Sequence, residues 1–501
     1  YMGLCNGTLY AHDFSTGLLR YANNLWQPVL ATNPLPVNDP VTAILPGRQG
    51  TTLIATMKNG LYILTDKSLN KHPSPNNQLF AEDRIYAATG IDEDWLALAT
   101  NTNGIYIINQ SGDIIQQFSK KEQLQNNNVL SIFLDNQRNL WLGLDNGIDF
   151  IAYNSAIKHI TPLMQDGSGY TALIHDNRLY AGTSNGLFHV ELQQVKDYSF
   201  SKGNFSPVLN TKGQTWTLTE INNQLLLGHH DGAFRITGSR AEQISTQAGF
   251  WNFVPLNPVF PAQTIAAGNY KGIRFFEYTG TAFVPGRQIT GFEESSRYLN
   301  IDEQGQIWVS HPYHGVYRIG GIEKGAISIS SYNSNKGLPS SLNNHAFKIR
   351  NEIVVGTEKG IYRYNLEKEQ FEPASFYMKL LGPQSIRYLR EDKEGNIWFI
   401  HEKNLGVIDL TGDAPRVIYL PELNNKMLSG FEFIYPVDSN NIFLGGEKGF
   451  YHINYHKYKR TVPQLKVQVR KVSIRDNKDS VLFGGYFSTL NKDQTQSELK
   501  I

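Results

Sequence analysis

The segment that decides the fold is Asn139-Leu140-Trp141-Leu142-Gly143-Leu144-Asp145-Asn146-Gly147-Ile148-Asp149-Phe150. It joins an apolar run and a small residue to a polar turn that ends in glycine, and a second apolar run follows. Asn-Gly favours a tight hairpin turn, because glycine adopts positive φ without a Cβ clash. The segment therefore predicts two antiparallel strands joined by a short turn.

The same phrase recurs along the chain, most clearly around Asn59-Gly60, Asn185-Gly186 and Lys359-Gly360. Its turn glycines mark eleven copies: Gly7, Gly60, Gly104, Gly147, Gly186, Gly232, Gly272, Gly315, Gly360, Gly406 and Gly449. The mean spacing is about 44 residues, which is typical of β-propeller repeats. A further turn signal precedes several copies, as at 302–308 and 392–398, and predicts an additional strand. Four strands in each repeat correspond to one propeller blade, with the repeated Trp, Tyr and Gly residues packing blade against blade.

The composition supports an all-β fold and excludes several other classes. The 501 residues include 44 Gly, 26 Tyr and 26 Phe, which favour strands and tight turns. The net charge is +1, with neither sign in long blocks, which argues against a nucleic-acid surface. A single cysteine excludes an internal disulfide framework and a Cys-rich metal site. No apolar run reaches the length of a membrane-spanning helix, so we expect any membrane anchor outside this sequence.

Eleven blades exceed the number that one propeller holds. We therefore predict four blades of an N-terminal propeller, incomplete in this sequence, over residues 1–154, and one complete seven-bladed propeller over residues 155–460. The phrase stops after that. An alternating strand at 465–474, a polar turn at 476–479 and an apolar strand at 481–483 predict that residues 461–501 begin an Ig-like β-sandwich.

The phrase at 139–150 resembles the two-component regulator propeller repeat, whose usual form is Asp-x-x-Gly-Asn-Leu-Trp-Ile-Gly-Thr followed by Gly-Leu. The strands at 465–483 resemble the start of the triple-tyrosine domain that follows such propellers. Residues 291–297 and 308–318 are similar to one branch of that family, in which sensor propellers precede a membrane helix, a coiled coil and a helix-turn-helix domain. Two copies depart from the pattern: 404–407 is irregular, and Val309-Ser310 replaces Gly-Thr.

This resemblance implies the extracytoplasmic ligand-sensing region of a bacterial membrane-spanning signal-transduction protein that controls transcription. Such a protein is a transcription regulator or a hybrid histidine kinase, and it would sense a glycan or another nutrient. The resemblance also implies a periplasmic location, a tether to the inner membrane beyond residue 501, and a homodimer formed through the C-terminal sandwich. We expect no enzyme activity within these residues, although a kinase domain could lie downstream. Two alternatives remain: a non-enzymatic propeller scaffold in an outer-membrane or periplasmic complex, and a propeller carbohydrate-active enzyme.

The candidate site residues lie in the less regular segments of the predicted seven-bladed ring. The loops of a propeller converge around its channel and can place aromatic and charged side chains around a small molecule or an oligosaccharide. The candidate ligand-binding residues are Trp251, Glu293, Glu294, Arg297, His311, Tyr313, His314 and His401. We find no phosphate loop and no His-Glu-x-x-His motif, and we expect no catalytic residue, cofactor or metal.

Two histidine clusters are weak candidates for a metal. His229-His230 and the pair His311 and His314 could offer imidazole ligands, but close histidines in a strand or turn are expected to point in different directions. Glu293 and Glu294 are likewise expected to face opposite sides of an extended segment, which argues against an acid/base pair.

Overall fold

The structure is a computed structural model that describes residues 1–31, 35–36, 38–66, 68–162, 167–192, 196–200, 205–322, 325–461, 471–474 and 480–484. The chain divides into two compact units, Tyr1–Tyr458 and Lys459–Ile501. Antiparallel sheets make up most of the described residues, so the predicted all-β fold is confirmed. Three α-helices in the described residues, Asn77–Asp83, Ser375–Leu381 and Tyr455–Thr461, were not predicted.

The first unit begins with four sheets that follow one another along the chain. Sheet 1 contains β1 (Met2–Cys5), β2 (Thr8–Asp13), β3 (Gly17–Ala22) and β4 (Leu25–Pro28), and sheet 2 contains β5 (Val41–Pro46), β6 (Thr52–Thr56), β7 (Gly60–Leu64) and β8 (Leu69–Lys71). Sheet 3 contains β9 (Ile85–Gly90), β10 (Trp95–Thr100), β11 (Ile105–Asn109) and β12 (Ile114–Phe118), and sheet 4 contains β13 (Val129–Leu134), β14 (Leu140–Leu144) and β15 (Ile148–Ile151). Buried apolar side chains join each sheet to the next.

Seven further sheets follow in the same unit. Sheet 5 contains β17 (Gly169–His175), β18 (Arg178–Thr183), β19 (Gly186–Glu191) and β20 (Ser206–Pro207). Sheet 6 contains β21 (Thr215–Ile221), β22 (Gln224–His229), β23 (Gly232–Thr237) and β24 (Arg240–Ser245). Sheet 7 contains β25 (Asn252–Pro255), β26 (Thr264–Asn269), β27 (Gly272–Tyr278) and β28 (Phe283–Gln288). Sheet 8 contains β29 (Tyr298–Ile301), β30 (Ile307–His311), β31 (Gly315–Gly320) and β32 (Ser328–Tyr332). Sheet 9 contains β33 (His345–Ile349), β34 (Glu352–Thr357), β35 (Gly360–Asn365) and β36 (Gln370–Pro373). Sheet 10 contains β37 (Ile386–Glu391), β38 (Ile397–His401), β39 (Asn404–Asp409) and β40 (Arg416–Tyr419).

Sheet 11 brings together strands that are distant in sequence. It contains β41 (Ile434–Asp438), β42 (Asn441–Gly445), β43 (Phe450–Ile453) and β16 (Ile157–Ile160). In it, β16 pairs antiparallel with β43. Buried side chains of sheet 11 pack against sheet 10 on one side and sheet 5 on the other. Sheets 5 to 11 thus close on themselves around the innermost strands β17, β21, β25, β29, β33, β37 and β41.

The small residue of the repeated phrase lies where consecutive sheets approach most closely. A Cβ on Gly268 would lie 1.9 Å from the Ser296 carbonyl oxygen, and a Cβ on Gly228 would lie 2.3 Å from the Phe250 carbonyl oxygen. Both carbonyls belong to the chain that enters the next innermost strand. Ser310 occupies this position in sheet 8, and its hydroxyl accepts a hydrogen bond from the Ala346 amide of sheet 9 at 2.9 Å. The departure at Val309-Ser310 therefore keeps the contact between sheets.

Two expectations about the repeat were wrong. Gly406 lies inside β39, opposite Phe399 and Tyr419, and it does not mark a hairpin turn. The turn of that hairpin lies at residues 402–403, where Glu402 adopts the positive φ of 52°. Sheet 4 has three strands in the described part of the chain, where four were expected.

The turn signal before the Trp-bearing strand is an aspartate-centred turn. The Asp392 carboxylate accepts hydrogen bonds from the Glu394 and Asn396 amides at 3.0 and 2.8 Å. It also accepts one from the Trp398 indole N–H at 3.0 Å. Asp302 with Trp308 and Asp135 with Trp141 repeat the arrangement. The aspartate thus fixes the hairpin and satisfies the indole N–H that the strand carries toward the neighbouring sheet.

The second unit is described at two strands, β44 (Lys471–Ile474) and β45 (Ser480–Gly484), which pair antiparallel. The first part of the predicted strand at 465–474 and most of the predicted turn at 476–479 lie outside the described residues. The β-sandwich remains a prediction. Across the described residues, every helix is too short or too polar to cross a membrane.

A buried polar network lies beside β16. The Lys158 ammonium donates a hydrogen bond to the Ser199 hydroxyl at 2.9 Å, and Asn454 donates one to the Asp197 carboxylate at 3.0 Å. Asp197 also lies 3.7 Å from the buried His452 imidazole. Burial lowers the pKa of Lys158 to about 7, although the Asp197 charge opposes this shift. The network therefore holds a lysine that titrates well below its usual range.

This shift predicts how the stability of the chain depends on pH. Between about pH 7 and the usual lysine pKa of about 10.5, the unfolded chain binds more protons than the folded chain at Lys158, so the free energy of unfolding rises with pH. We expect Lys158→Met to remove that rise, which amounts to at most about 1.4 kcal/mol per pH unit. Urea unfolding at several pH values measures it, with the exposed Lys212→Met as the control. An identical pH dependence in wild type and Lys158→Met would contradict the burial of this charge.

Candidate functional site

One residue from each sheet of the ring occupies an equivalent position at one end of the central channel. In each sheet, the small-residue position of the phrase lies in the second strand and pairs with one residue of the innermost strand. The residue immediately before that partner is the one meant here. We call these residues the mouth ring: Tyr170, Trp216, Trp251, Arg297, Asn344, Arg387 and Glu432. A β-bulge falls at this position in sheets 5, 6 and 10. Bulges redirect a side chain out of the regular alternation of a strand.

Three of the seven mouth-ring residues, Tyr170, Trp216 and Trp251, are aromatic. Trp216 lies 5.0 Å from Tyr170 and 4.8 Å from Trp251 between ring centroids. Phe431, next to Glu432, stacks on Trp216 at 5.4 Å and also contacts Tyr170 and Trp251. These aromatic rings therefore form one continuous surface, with Phe431 touching all of the others.

Hydrogen bonds hold the two indoles in place. The Trp216 indole N–H donates to the Tyr270 hydroxyl at 3.1 Å, and the Trp251 indole N–H donates to the Ser295 hydroxyl at 3.1 Å. The Tyr270 hydroxyl also hydrogen-bonds with the His230 imidazole at 2.9 Å. Because both indole N–H groups are satisfied within the protein, the indoles contribute their faces rather than their polar edges to the opening.

The other four mouth-ring residues are charged or polar. The Arg297 guanidinium lies 4.5 Å from the Phe431 ring centroid and 5.7 Å from that of Trp251, and it donates a hydrogen bond to the Gly430 carbonyl. These distances are typical of cation–π contacts. The buried Glu432 carboxylate accepts a hydrogen bond from the Gly430 amide at 2.9 Å. A cationic group and an aromatic surface thus meet at one opening.

Sheet 9 adds buried polar atoms near this opening. Among the described residues, neither the buried Asn344 Oδ1 nor the His345 Nδ1 has a hydrogen-bond partner. Burial, together with the charges of Arg297 and Arg387, lowers the pKa of His345 to about 3, so its imidazole is neutral at physiological pH. A buried polar atom without a partner costs about 1–3 kcal/mol. A polar ligand that reached these atoms would recover part of that cost.

The innermost strands enclose a cavity of about 640 Å³. Trp216, Trp251 and Arg297 line one end, while the exposed Glu220 and Arg390, near the far ends of β21 and β37, line the other. The volume falls within the range of sites for small molecules and short oligosaccharides. The cavity therefore has an aromatic mouth at one end and charged side chains at the other.

The structure divides the eight predicted site residues into three groups. Trp251 and Arg297 lie in the mouth ring. Glu294, His311 and His314 lie together in a separate cluster. Glu293 and Tyr313 are exposed, and His401 contacts Asn404 and Tyr419 of its own sheet.

The expectation that His311 and His314 point in different directions was wrong. Their rings stack with centroids 4.4 Å apart. Alternation of side chains holds only along a strand, and β30 ends at His311. The turn at 312–314 reverses the chain and brings His314 back onto the end of the strand. The expectation assumed that these residues were extended.

Sequence reasoning missed the other mouth-ring residues and Phe431. Tyr170 and Trp216 lie at bulges, which a period-two pattern does not reveal. The phrase itself carried a usable signal: in sheets 5 to 9 and 11, the residue before the partner of the small residue belongs to the mouth ring. In sheet 10 the small-residue position is occupied by Ile400. Aligning the innermost strands on that small residue would have collected Tyr170, Trp216, Trp251 and Arg297.

Comparison with known proteins supports the repeat. Residues 123–146 match the family model described as "Two component regulator propeller". The predicted resemblance to this repeat is confirmed. The sequence has no significant match among curated proteins.

Two solved structures from B. thetaiotaomicron are similar to this chain. The extracellular domain of the putative hybrid two component system BT3049 is 17% identical with a TM-score of 0.63, and the match covers 98% of this chain and 65% of that chain. The extracellular domain of the putative hybrid two component system BT4673 is 17% identical with a TM-score of 0.46, covering 89% of this chain and 63% of that chain. This chain thus spans slightly less than two thirds of either protein. At this identity, the similarity to BT3049 shows a shared fold.

Proposed function

We propose that this chain is the extracytoplasmic ligand-sensing region of a bacterial membrane-spanning signalling protein, and that the mouth ring binds a glycan or a similar polar nutrient. One observation carries the proposal: stacked aromatic faces, an arginine and a buried glutamate meet at the mouth of a 640 Å³ cavity. Sugars present apolar C–H faces and hydroxyl groups together. The aromatic residues of the ring suit the C–H faces, and its polar and charged residues suit the hydroxyl groups.

The setting of the proposal comes from the comparisons. Both similar proteins are described as extracellular domains of putative hybrid two component systems. We propose the same arrangement here, with a periplasmic location, an inner-membrane tether beyond residue 501 and an output that controls transcription. Homodimerisation through the C-terminal sandwich belongs to the same proposal.

Phe431 offers a route from ligand binding to the rest of the chain. It contacts Tyr170, Trp216, Trp251 and Arg297, and it lies three residues before the start of β41 of sheet 11. A ligand that stacks on the tryptophans competes with these contacts and so favours a different position of Phe431. Sheet 11 also contains β16, through which the chain connects to sheets 1–4. A shift at Phe431 therefore acts on the sheet that links the two parts of the first unit.

A thermal-shift screen against monosaccharides and oligosaccharides tests the proposal. A ligand that binds the folded state raises the melting temperature by an amount that grows with the logarithm of its concentration relative to Kd. We expect a dose-dependent hit with wild type, and about tenfold or more weaker binding with Trp216→Ala, since a lost stacking surface costs at least about 1.4 kcal/mol. The control is Trp26→Ala, a half-exposed tryptophan in sheet 1.

The outcomes are distinct. Equal binding by wild type and Trp216→Ala would place the ligand away from the mouth ring. The absence of any hit across a broad panel, for a chain that is folded, would favour the scaffold alternative over a glycan sensor.

A further inference from the structure

A cluster of three potential metal ligands lies outside the mouth ring. The ligand atoms of Glu294, His311 and His314 all lie within 4.8 Å of one another. His314 Nδ1 is 3.0 Å from Glu294 Oε2, and His311 Nε2 is 3.7 Å from the same oxygen. Ligands at about 2.0–2.1 Å from a tetrahedral zinc ion lie about 3.4 Å from one another. The observed separations bracket that value. Because the two imidazole rings stack at 15° to each other, one ring would have to turn for both nitrogen lone pairs to point at the same ion.

The backbone holds the cluster from two sides. His311 ends β30, and His314 lies in the turn before β31. Glu294 lies in the loop before β29, where its carbonyl accepts hydrogen bonds from the Gly272 amide at 3.1 Å and the Ser296 hydroxyl at 2.9 Å. The Tyr317 hydroxyl donates to Glu294 Oε1 at 3.3 Å, which leaves Oε2 directed at the histidines. Carboxylates that bind metal ions usually accept a hydrogen bond from a neighbouring group that fixes their orientation, and the Tyr317 hydroxyl is in the position to do this for Glu294.

We propose that Glu294, His311 and His314 bind a divalent transition-metal ion, with Zn²⁺ as the best fit. Two imidazoles and one carboxylate suit Zn²⁺ and its neighbours, whereas Ca²⁺ and Mg²⁺ prefer sites made of oxygen ligands. The His314 side chain is 53% exposed, and that of Glu294 is 30% exposed. The ion can therefore enter from solvent, and a water molecule can complete a fourth position.

Metal binding competes with the hydrogen bonds that the same residues make in the metal-free chain. His311 Nδ1 accepts a hydrogen bond from the Tyr313 amide at 3.2 Å, so in the metal-free chain the ring proton is on Nε2, directed at Glu294. A metal bound at Nε2 requires that proton to move to Nδ1, and the contact with the Tyr313 amide is then lost. The affinity of the site is the metal–ligand free energy less this cost.

The site would also stabilise part of the mouth ring. Glu294 begins the short segment that contains Ser295, which accepts the Trp251 hydrogen bond, and Arg297, which covers Phe431. A metal ion would join this segment to the β30–β31 turn through two histidines. The inference does not depend on the glycan proposal, because metal binding is measured without any sugar.

Titration of the chelator-treated chain with Zn²⁺ by calorimetry, and with Co²⁺ by absorption, tests the proposal. We expect one Zn²⁺ per chain and the intense visible bands of tetrahedral Co²⁺. His314→Ala, His311→Ala and Glu294→Gln should each weaken Zn²⁺ binding by at least about tenfold. His456→Ala, which removes an exposed histidine elsewhere in the first unit, should bind as wild type does.

Two results would overturn the proposal. One is Zn²⁺ binding of unchanged affinity and stoichiometry in all three cluster variants, which would place the ion elsewhere. The other is no Zn²⁺ binding by the wild-type chain while it remains folded. Because His314 lies in an exposed turn, His314→Ala is expected to fold, and circular dichroism of that variant guards against a trivial loss.

Discussion

Trp398→Ala should lower the free energy of unfolding by about 3–5 kcal/mol, the usual cost of removing a large buried side chain. Trp398 is 0% exposed and packs against Tyr455 with ring centroids 5.1 Å apart, in the core between sheets 10 and 11. The variant would leave a cavity at the junction through which the ring closes. Urea unfolding followed by circular dichroism measures the loss.

Trp141→Ala provides a matched control. Trp141 occupies the same place in the phrase, and its indole N–H makes the same bond to an aspartate, Asp135, at 3.0 Å. It is 44% exposed, so we expect a smaller loss of about 1–2 kcal/mol. Similar losses in the two variants would show that packing between sheets does not account for the repeated tryptophan.

Gly268→Ala should lower the free energy of unfolding by about 3 kcal/mol or more, at the upper end of overpacking costs. The added Cβ would lie 1.9 Å from the backbone oxygen of Ser296, and backbone cannot yield as a flexible side chain can. The forced shift would also move Arg297, the next residue, so we expect weaker binding of any mouth-ring ligand. Thermal unfolding and ligand titration measure both effects.

Gly90→Ala is the control for this substitution. Gly90 also lies in a strand, β9, but a Cβ there would meet nothing within 4 Å, and its φ is not positive. We expect a change of less than about 0.5 kcal/mol. Equal destabilisation by both alanines would mean that the small residue of the phrase serves only strand propensity, and not the approach of consecutive sheets.

The repeat made the fold readable from the sequence because each copy carries its own turn chemistry. A turn glycine, a small residue and an aspartate before tryptophan are local signals, and the structure gives each a local role. Gly406 was wrongly predicted to be a turn glycine, because a glycine inside a strand looks the same in the sequence. The turn of that hairpin uses Glu402 instead. The pairing of β16 with β43 was not predicted, since it joins residues far apart in the chain and no local pattern specifies such a partner.

The candidate site was less readable. Trp251 and Arg297 stood out because they lie in irregular segments. Tyr170 and Trp216 did not, because each lies within a strand and is directed to the channel by a bulge. The stacking of His311 on His314 depends on the shape of one turn, which strand alternation does not describe.

The central claim is that the mouth ring binds the ligand of this chain. A crystal structure of the chain with a saccharide that raises its melting temperature tests this most directly. We predict that the sugar stacks on Trp216 and hydrogen-bonds to Arg297, with Phe431 displaced from its present contacts. A sugar bound at any other place in the chain, with the mouth ring unchanged, would contradict the claim.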